Sequence, residues 1–337
     1  MKKSGEMQIK HEILINVLGD MLSARVIHAD YKTTQLHGGT LGDVRLVIGV
    51  AEADDGKKIP YQFVLKKQKK WERYGDTDSW RREYDLYTSD LGKLFGDSLR
   101  WPTCYYSEMD EDEFQIWIEY IEGTTGLDLT VDMYELEARE LGRYQGRLYS
   151  EQPTVLQTLT NLSNVDFMKD DYLHYRSWNE VYNYIRSDDC GIPKHLCDML
   201  IDIDENSDKI FNKIAKLPIV LCHRDFWVAN IFVKDDNIRL IDWDTSGWGY
   251  MGEDIASLIA DESEVDHMIE YYNRCIQAYY IGFSEYVDVS HISDNCIYEM
   301  ILIKFGYRLV ENYKFSETQD ERKLFIDTLQ KIYVMKA

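Results

Sequence analysis

Residues 221–256 read LCHRDFWVANIFVKDDNIRLIDWDTSGWGYMGEDIA, and this stretch decides the fold of the chain. The apolar run 218–221 that leads into it predicts a buried strand. Two further apolar runs, 231–233 and 238–241, flank a polar turn and predict a β-hairpin. Asn230 then stands at the entry of the hairpin and Asp242 at its exit. With Asp225 on the loop just before, we expect these three side chains to converge at one edge of a small sheet.

The three side chains suit phosphoryl transfer. The reaction needs Mg2+ to neutralise phosphate oxygens, and Mg2+ prefers hard ligands such as the Asp242 carboxylate and the Asn230 carbonyl. It also needs a carboxylate that orients the attacking hydroxyl and accepts its proton, a role open to Asp225. The spacing H-x-D-x-x-x-x-N with an Asp on the next strand is typical of kinase-like phosphotransferases. Solvated turn carboxylates are the alternative, but four agreeing positions favour the catalytic interpretation.

This stretch resembles the aminoglycoside phosphotransferase and choline kinase branch of the protein-kinase-like superfamily. It differs from the protein kinases, because Asp242 is followed by Trp243-Asp244 rather than Phe-Gly. Trp227 also stands where protein kinases place a Lys. Instead of a long activation segment, the chain passes through three glycines into the helix start at 253–256. With no platform for a peptide, the resemblance implies a small-molecule acceptor.

The resemblance implies an α+β class, a two-lobe protein-kinase-like fold with a small antiparallel-sheet N-lobe and a mainly helical C-lobe. It predicts a nucleotide-binding lobe at residues 1–118, a connector at 119–123 and a catalytic and acceptor-binding lobe at 124–337. ATP or GTP would bind between the lobes with Mg2+. Asp225 would be the catalytic base, and Asn230 and Asp242 the metal ligands.

The N-terminal region carries the predicted phosphate contacts. A glycine-rich piece, 37–43, lies between predicted strands, and Gly39 could let backbone amides approach phosphate. Strand alternation does not decide between Lys66 and Lys67, but the resemblance implies that Lys66 contacts the α- and β-phosphates. It also implies that Glu83, on a helix predicted over 78–94, fixes Lys66. Solvated surface charges are the alternative for Lys66 and Glu83.

The remaining elements follow from periodicity. The strand predicted over 114–121 leads into the connector, where the resemblance implies adenine contacts from the main chain of Glu119 and Ile121. Residues 154–190 predict a loop with short helices over the cleft. Helices are predicted over 6–23, 132–149, 193–217, 254–283, 292–313 and 320–335.

Charge and composition bound the partners. The net charge of −22 argues against nucleic acid and suits a cationic acceptor, although solubility is an equal alternative. The 25 Tyr and 8 Trp could bind a quaternary ammonium through cation–π contacts, but most are expected in the core. Four acids at positions 261, 262, 264 and 266 either bind ammonium groups or form a solvated helix face.

Cysteine usage and hydropathy predict a cytoplasmic protein. The six cysteines are scattered without a C-x-x-C pair, which favours free thiols in a reducing compartment. The sequence has no visible secretory signal or membrane span, so no membrane partner is expected. His223 has no partner at a metal-binding spacing and is predicted to be structural.

Together these observations predict an enzyme. It would move the γ-phosphate of ATP or GTP, with Mg2+, to a hydroxyl of a small cationic molecule that is aminoglycoside-like or choline-like. The alternative is a non-catalytic, nucleotide-binding pseudokinase that serves interaction. The intact set of Asp225, Asn230 and Asp242 favours the enzyme.

Overall fold

A computed structural model describes residues 9–36, 42–73, 75–176, 178–292 and 295–336. Tertiary contacts divide the chain into an N-terminal unit, residues up to 92 with 101–122, and a C-terminal unit, residues 93–100 with 123 onward. The first is built on an antiparallel sheet and the second is mainly helical, which confirms the predicted fold class. None of the helices in the described ranges is long and apolar enough to cross a membrane.

The strands and helices are numbered in chain order. The strands are β1 Val26–Gln35, β2 Gly42–Ala53, β3 Lys58–Lys69, β4 Leu99–Arg100, β5 Cys104–Met109, β6 Glu113–Ile118, β7 Ile219–Cys222, β8 Ile231–Lys234, β9 Asn237–Leu240 and β10 Gly247–Tyr250. The helices are α1 His11–Leu22, α2 Ser79–Tyr87, α3 Val131–Glu151, α4 Phe167–Asp170, α5 Trp178–Ile185, α6 Lys194–Glu205, α7 Ser207–Ile214, α8 Glu253–Ala260, α9 Met268–Ser284, α10 Asn295–Phe315 and α11 Gln319–Met335.

The N-terminal unit is a five-stranded sheet in the order β1-β2-β3-β6-β5. Helix α1 shares a core with one face of the sheet, to which Phe63 and Leu65 of β3 belong. The Phe63 ring stacks on Trp117 of β6 at 5.0 Å between ring centroids. Because side chains alternate along a strand, Lys66 lies on the face opposite to that of Phe63 and Leu65. The packing of α1 against Phe63 and Leu65 therefore shows which face of β3 is covered, a question that alternation alone could not decide.

The helix predicted over 78–94 is wrong in its second half. Helix α2 ends at Tyr87, and a separate 3-10 turn follows at Asp90–Leu94. Two hydroxyls bind backbone carbonyls at the break, Thr88 Oγ1 to Tyr84 at 2.9 Å and Ser89 Oγ to Leu86 at 2.6 Å. Ser and Thr side chains compete in this way with helix continuation.

In the C-terminal unit, α3 and α9 pack with their backbones unusually close. A Cβ on Gly142 would lie 2.2 Å from the carbonyl oxygen of Tyr279, and one on Gly282 would lie 2.0 Å from that of Arg139. Any side chain at these positions would push the helices apart. The pair forms a rigid base, and the face of α3 that contains Gln145 packs near β7.

The helix predicted over 254–283 is also wrong, because α8 ends at Ala260 and α9 begins at Met268. Glu262 between them has a left-handed φ of 57°, which a continuous α-helix of L-residues does not tolerate. The helix predicted over 193–217 is likewise two helices, α6 and α7, separated at Asn206.

The predicted hairpin is confirmed. Strands β8 and β9 pair antiparallel from Ile231 opposite Leu240 to Lys234 opposite Asn237. Both turn residues, Asp235 and Asp236, are left-handed, as two-residue hairpin turns require. Strand β7 pairs instead with β10, and β4 adds a parallel strand beside β9.

Candidate active site

A buried carboxylate shapes the loop that follows β7. Asp254, in the first turn of α8, accepts hydrogen bonds from the backbone amides of His223 at 2.9 Å and Arg224 at 2.8 Å. Gln145 of α3 donates to Asp254 and to the Leu221 carbonyl, both at 3.0 Å. Burial raises the pKa of Asp254, and the nearby His223 and the Arg224 amide oppose that rise. The network fixes the backbone directly ahead of Asp225.

Asn230 and Asp225 are joined by their side chains. Asn230 Nδ2 donates to Asp225 Oδ2 at 2.7 Å and to the Asp225 carbonyl at 2.9 Å. The main-chain carbonyl of Asn230 accepts a hydrogen bond from the amide of Ile241 at 3.0 Å. Asp242, the next residue, has a left-handed φ of 63°. The structure therefore brings the three predicted residues to the open end of the hairpin.

His223 contacts the open end of the β8–β9 hairpin through residues 241 and 243. Its ring Nε2 lies 3.0 Å from the Ile241 carbonyl, and its ring meets that of Trp243 edge-on at 4.6 Å. Burial lowers the pKa of His223, so the ring is neutral near pH 7 with its proton on Nε2. The contact with Ile241 fits the predicted structural role of His223.

The donor atoms at the hairpin fit Mg2+. Because the amide NH2 of Asn230 is bonded to Asp225, its carbonyl oxygen is the atom suited to a metal ion. Mg2+ is usually bound by one or two carboxylates while substrate phosphates and waters complete its shell, so Asn230 and Asp242 suffice chemically. Across the ranges that the structure describes, no group of three or more His, Cys, Asp or Glu could hold a metal by itself.

In the N-terminal unit, the structure pairs Lys66 with Glu83. Their Nζ and Oε2 atoms lie 2.5 Å apart, and the Glu83 side chain is only 2% exposed. Lys67 pairs instead with Glu113 at 2.6 Å, and both of those side chains are about one third exposed. Asp85, the competing acid on α2, binds Arg81. Lys66 and Glu83 therefore pair with each other, whereas the neighbouring Lys67 and Asp85 pair with other residues.

The three other residues predicted to contact the nucleotide are Glu119, Ile121 and Gly39. The Glu119 amide donates to the Thr103 carbonyl at 2.8 Å, so a nucleotide base could meet Glu119 only through its carbonyl. Ile121 follows in a segment, 119–122, that belongs to no strand or helix. Gly39 lies outside the described residues.

Sequence reasoning missed three residues that build the site. Tyr279 donates to Gln145 Oε1 at 2.6 Å and extends the network around Asp254. Gln145 is a polar residue on the predicted buried side of its helix, a signal that it has a specific partner. Arg224 lies between His223 and Asp225 in the sequence, and it is buried.

The acids that follow α8 have different surroundings. Asp261 forms an ion pair with Arg308. Three exposed acids, at 262, 264 and 266, line a cavity of about 820 Å3 in the C-terminal unit. Arg308, Lys323, Asp327 and Lys331 also line it, so its charge is mixed. Helix α8 joins the cavity to the His223–Asp225 loop and spans about 12 Å at 1.5 Å per residue.

Known proteins resemble this chain in family and in fold. The model of the family described as "Phosphotransferase enzyme family" matches residues 101–286. No curated protein sequence matches the chain. The choline kinase of Cryptosporidium parvum Iowa II is similar in structure, with 18% identity, a TM-score of 0.55 and coverage of 95% of this chain and 94% of that one.

Two other solved structures show the same fold. A microcompartment-associated aminopropanol kinase has 14% identity, a TM-score of 0.55 and 95% coverage of both chains. An amicoumacin kinase, solved with AMP-PNP, Ca2+ and Ami, has 13% identity, a TM-score of 0.54 and 96% coverage of both chains. At such low identity these likenesses establish the kinase-like fold.

Proposed function

This chain belongs to the phosphotransferase enzyme family and is a small-molecule kinase, and we propose that it transfers the γ-phosphate of ATP or GTP to a hydroxyl of a small cationic molecule. The observation that carries the proposal is the direct hydrogen bond from Asn230 to Asp225 at the open end of the β8–β9 hairpin. It joins a metal-ligand amide to a carboxylate suited to act as a base. The amicoumacin kinase, which binds AMP-PNP and Ca2+, supports a nucleotide with a divalent cation.

Asp225 orients the acceptor hydroxyl and takes its proton as the new O–P bond forms, while the bond from the γ-phosphorus to the β–γ bridging oxygen breaks and ADP or GDP leaves. The NH2 group of Asn230 holds one carboxylate oxygen of Asp225 in place and so orients the carboxylate that takes the proton. Lys66, restrained by Glu83, contacts the nucleotide phosphates. Asn230 and Asp242 would hold Mg2+, which when bound neutralises charge on the phosphate oxygens.

The cavity beyond α8 is our candidate for the acceptor's amines. Glu262, Glu264 and Asp266 line it, and carboxylates attract ammonium groups. Two basic residues on its wall, Arg308 and Lys323, are each paired with an acid, so their charge is partly neutralised and repels ammonium groups less. An acceptor with its amines in this cavity and a hydroxyl about 12 Å away, one short helix length, would fit. Aminoglycoside-like molecules can span that distance, whereas choline-like molecules, with two carbons between nitrogen and hydroxyl, cannot, so comparing the two classes tests the role of the cavity.

The test is phosphate transfer from labelled ATP, and separately from labelled GTP, to a panel of aminoglycosides, choline, ethanolamine, amino acids and sugars. We expect Mg-dependent transfer to at least one amine-bearing alcohol. Asp225→Asn is the test variant. Asp235→Asn is its matched control, because Asp235 lies on the exposed turn of the same hairpin. Transfer that survives equally in both variants would contradict the proposed site.

A further inference from the structure

Arg224 occupies a backbone conformation that does not favour arginine. Its φ is 69°, in the left-handed region where a Cβ atom is crowded and glycine is the usual residue. Its side chain is nevertheless only 3% exposed, on the loop between His223 and Asp225 of the predicted catalytic motif. A strained backbone persists only where the surroundings determine it. The bond from the Arg224 amide to Asp254 and the contacts of the guanidinium together supply that determination.

The guanidinium joins three separate parts of the C-terminal unit. It donates through Nη1 to Ser163 Oγ, and through Nη2 to the carbonyls of Asn164, at 2.8 Å, and Trp248. Its Nε lies 3.4 Å from the buried carboxylate of Glu253. Its Cζ atom lies 4.8 Å from the centroid of the Phe167 ring. Nε makes no hydrogen bond within the described residues, but a buried charge whose two Nη atoms have three acceptors is costly to remove, and lysine cannot reproduce the planar fork.

The segment that Arg224 contacts is held beside β10 by an isolated parallel β-bridge. We call residues 161–167 the Ser163 segment. Ser163 forms a parallel bridge with Gly247, and its carbonyl accepts from the Trp248 amide at 3.0 Å. A Cβ on Gly247 would lie 2.0 Å from Ser163 Oγ, so the approach is close. The segment runs into α4 and lies within residues 154–190, the region predicted to form a loop with short helices over the cleft.

We propose that Arg224 is a positioning residue that couples the Ser163 segment to the loop carrying Asp225. The inference rests on the proposed function, since Asp225 is its base. By fixing both segments, Arg224 sets the distance between Asp225 and an acceptor bound under the region that follows the Ser163 segment. Its loss should therefore lower turnover while nucleotide binding is kept, because Lys66, Asn230 and Asp242 are untouched.

The decisive variants are Arg224→Gly and Arg224→Lys. Glycine accepts the left-handed backbone and removes only the side chain, whereas lysine keeps the charge without the fork. Asp235→Gly is the matched control, since Asp235 is left-handed at φ 49° on the exposed hairpin turn. Amide hydrogen exchange over peptides covering 161–176 is the first readout. We expect roughly tenfold faster exchange in Arg224→Gly, a smaller rise in Arg224→Lys and none in Asp235→Gly.

The second readout separates positioning from general damage. Calorimetry with Mg·AMP-PNP should give a Kd within about threefold of the parent, while turnover of Mg·ATP falls roughly tenfold to a hundredfold. Turnover is measured with the best alcohol of the panel, or as ATP hydrolysis. Unchanged exchange over 161–176, or a loss of AMP-PNP binding in step with turnover, would overturn the proposal. A parent inactive with every alcohol and with water would sink the proposed function, whereas the exchange comparison needs no substrate and still decides the coupling.

Discussion

The side-chain amide of Asn230 donates to a carboxylate oxygen of Asp225 over 2.7 Å. This bond directs the NH2 group of the amide to Asp225, the proposed base, so that the carbonyl is the end of the amide proposed to bind the metal. It also restricts the rotation of Asp225, so that one oxygen is committed before any acceptor binds. Preorganisation of this kind lowers the reorganisation needed during the reaction.

Asp225→Asn should lower turnover by roughly two to four decades, the range of general acid–base catalysis, with nucleotide affinity nearly kept. The replacement has the same size but cannot accept the acceptor proton. Steady-state kinetics and Mg·AMP-PNP titration measure the two effects separately. Near-normal turnover on an established acceptor would show that Asp225 is not the base.

Asp242→Asn should abolish Mg-dependent ATP binding, because a hard cation loses its carboxylate ligand. Asparagine is the suitable replacement because it tolerates the left-handed φ of 63°. Calorimetric titration with and without Mg2+ measures the loss. If metal dependence were equal in variant and parent, the ligand would have to be another group, with Asp244 the first to test.

Lys66→Ala should reduce Mg·ATP turnover by about tenfold to a hundredfold, since a hydrogen bond from a charged group contributes roughly 1.5–3 kcal/mol. Lys67→Ala is the matched control on the same strand, and its partner Glu113 is not part of the proposed site. Kinetics of both variants at saturating acceptor make the comparison. Equal effects of the two substitutions would remove Lys66 from the phosphate site.

Glu137→Met should stabilise the protein at neutral and higher pH. Within the described part of the chain, neither carboxylate oxygen of Glu137 on α3 has a hydrogen-bond partner, and burial raises its pKa well above the ordinary value. The unfolded state therefore loses this proton near pH 4.3 while the folded state keeps it, so stability falls as pH rises above that point. Each unit of pKa elevation costs about 1.4 kcal/mol.

Thermal denaturation from pH 4 to pH 8 measures this effect. The Tm difference between Glu137→Met and the parent should widen as pH rises. Glu140→Met is the control on the same helix, because Glu140 is bonded to Arg143 and its replacement should not stabilise. A pH-independent difference for Glu137→Met would show that Glu137 is ionised in the folded protein.

The kcat/KM for a cationic acceptor should fall as salt rises, while the Mg·ATP dependence changes less. Salt screens exposed charges over a Debye length of about 8 Å near physiological ionic strength, and the cavity acids at 262, 264 and 266 are exposed. Kinetics across a salt series test this. A neutral sugar as best acceptor, with salt-insensitive kinetics, would contradict the cationic assignment and leave the kinase intact.

The hairpin and its three polar residues could be predicted from the sequence because their order along the chain fixes their neighbourhood. Asn230 and Asp242 flank a short hairpin, and antiparallel pairing brings such ends together. Asp225 is only five residues from Asn230. Local pattern and tertiary position therefore agree at this point.

Other features depend on contacts between distant residues. The face of Lys66 is settled by α1, which is more than forty residues earlier, and the break at Glu262 is set by backbone conformation rather than composition. Arg224 has partners at 163, 164, 248 and 253, none of which periodicity connects to it. Such pairings are visible only once the chain is folded.

The carboxylate of Asp254 binds main-chain amides of the loop, not its side chains. The conformation of that loop therefore depends on a residue about thirty positions later in the sequence. An alanine scan of the loop alone would leave this constraint intact and would understate how strongly the shape is enforced. Conversely, a loop transplanted into another protein without its own Asp254 and Gln145 would carry the motif but not the conformation.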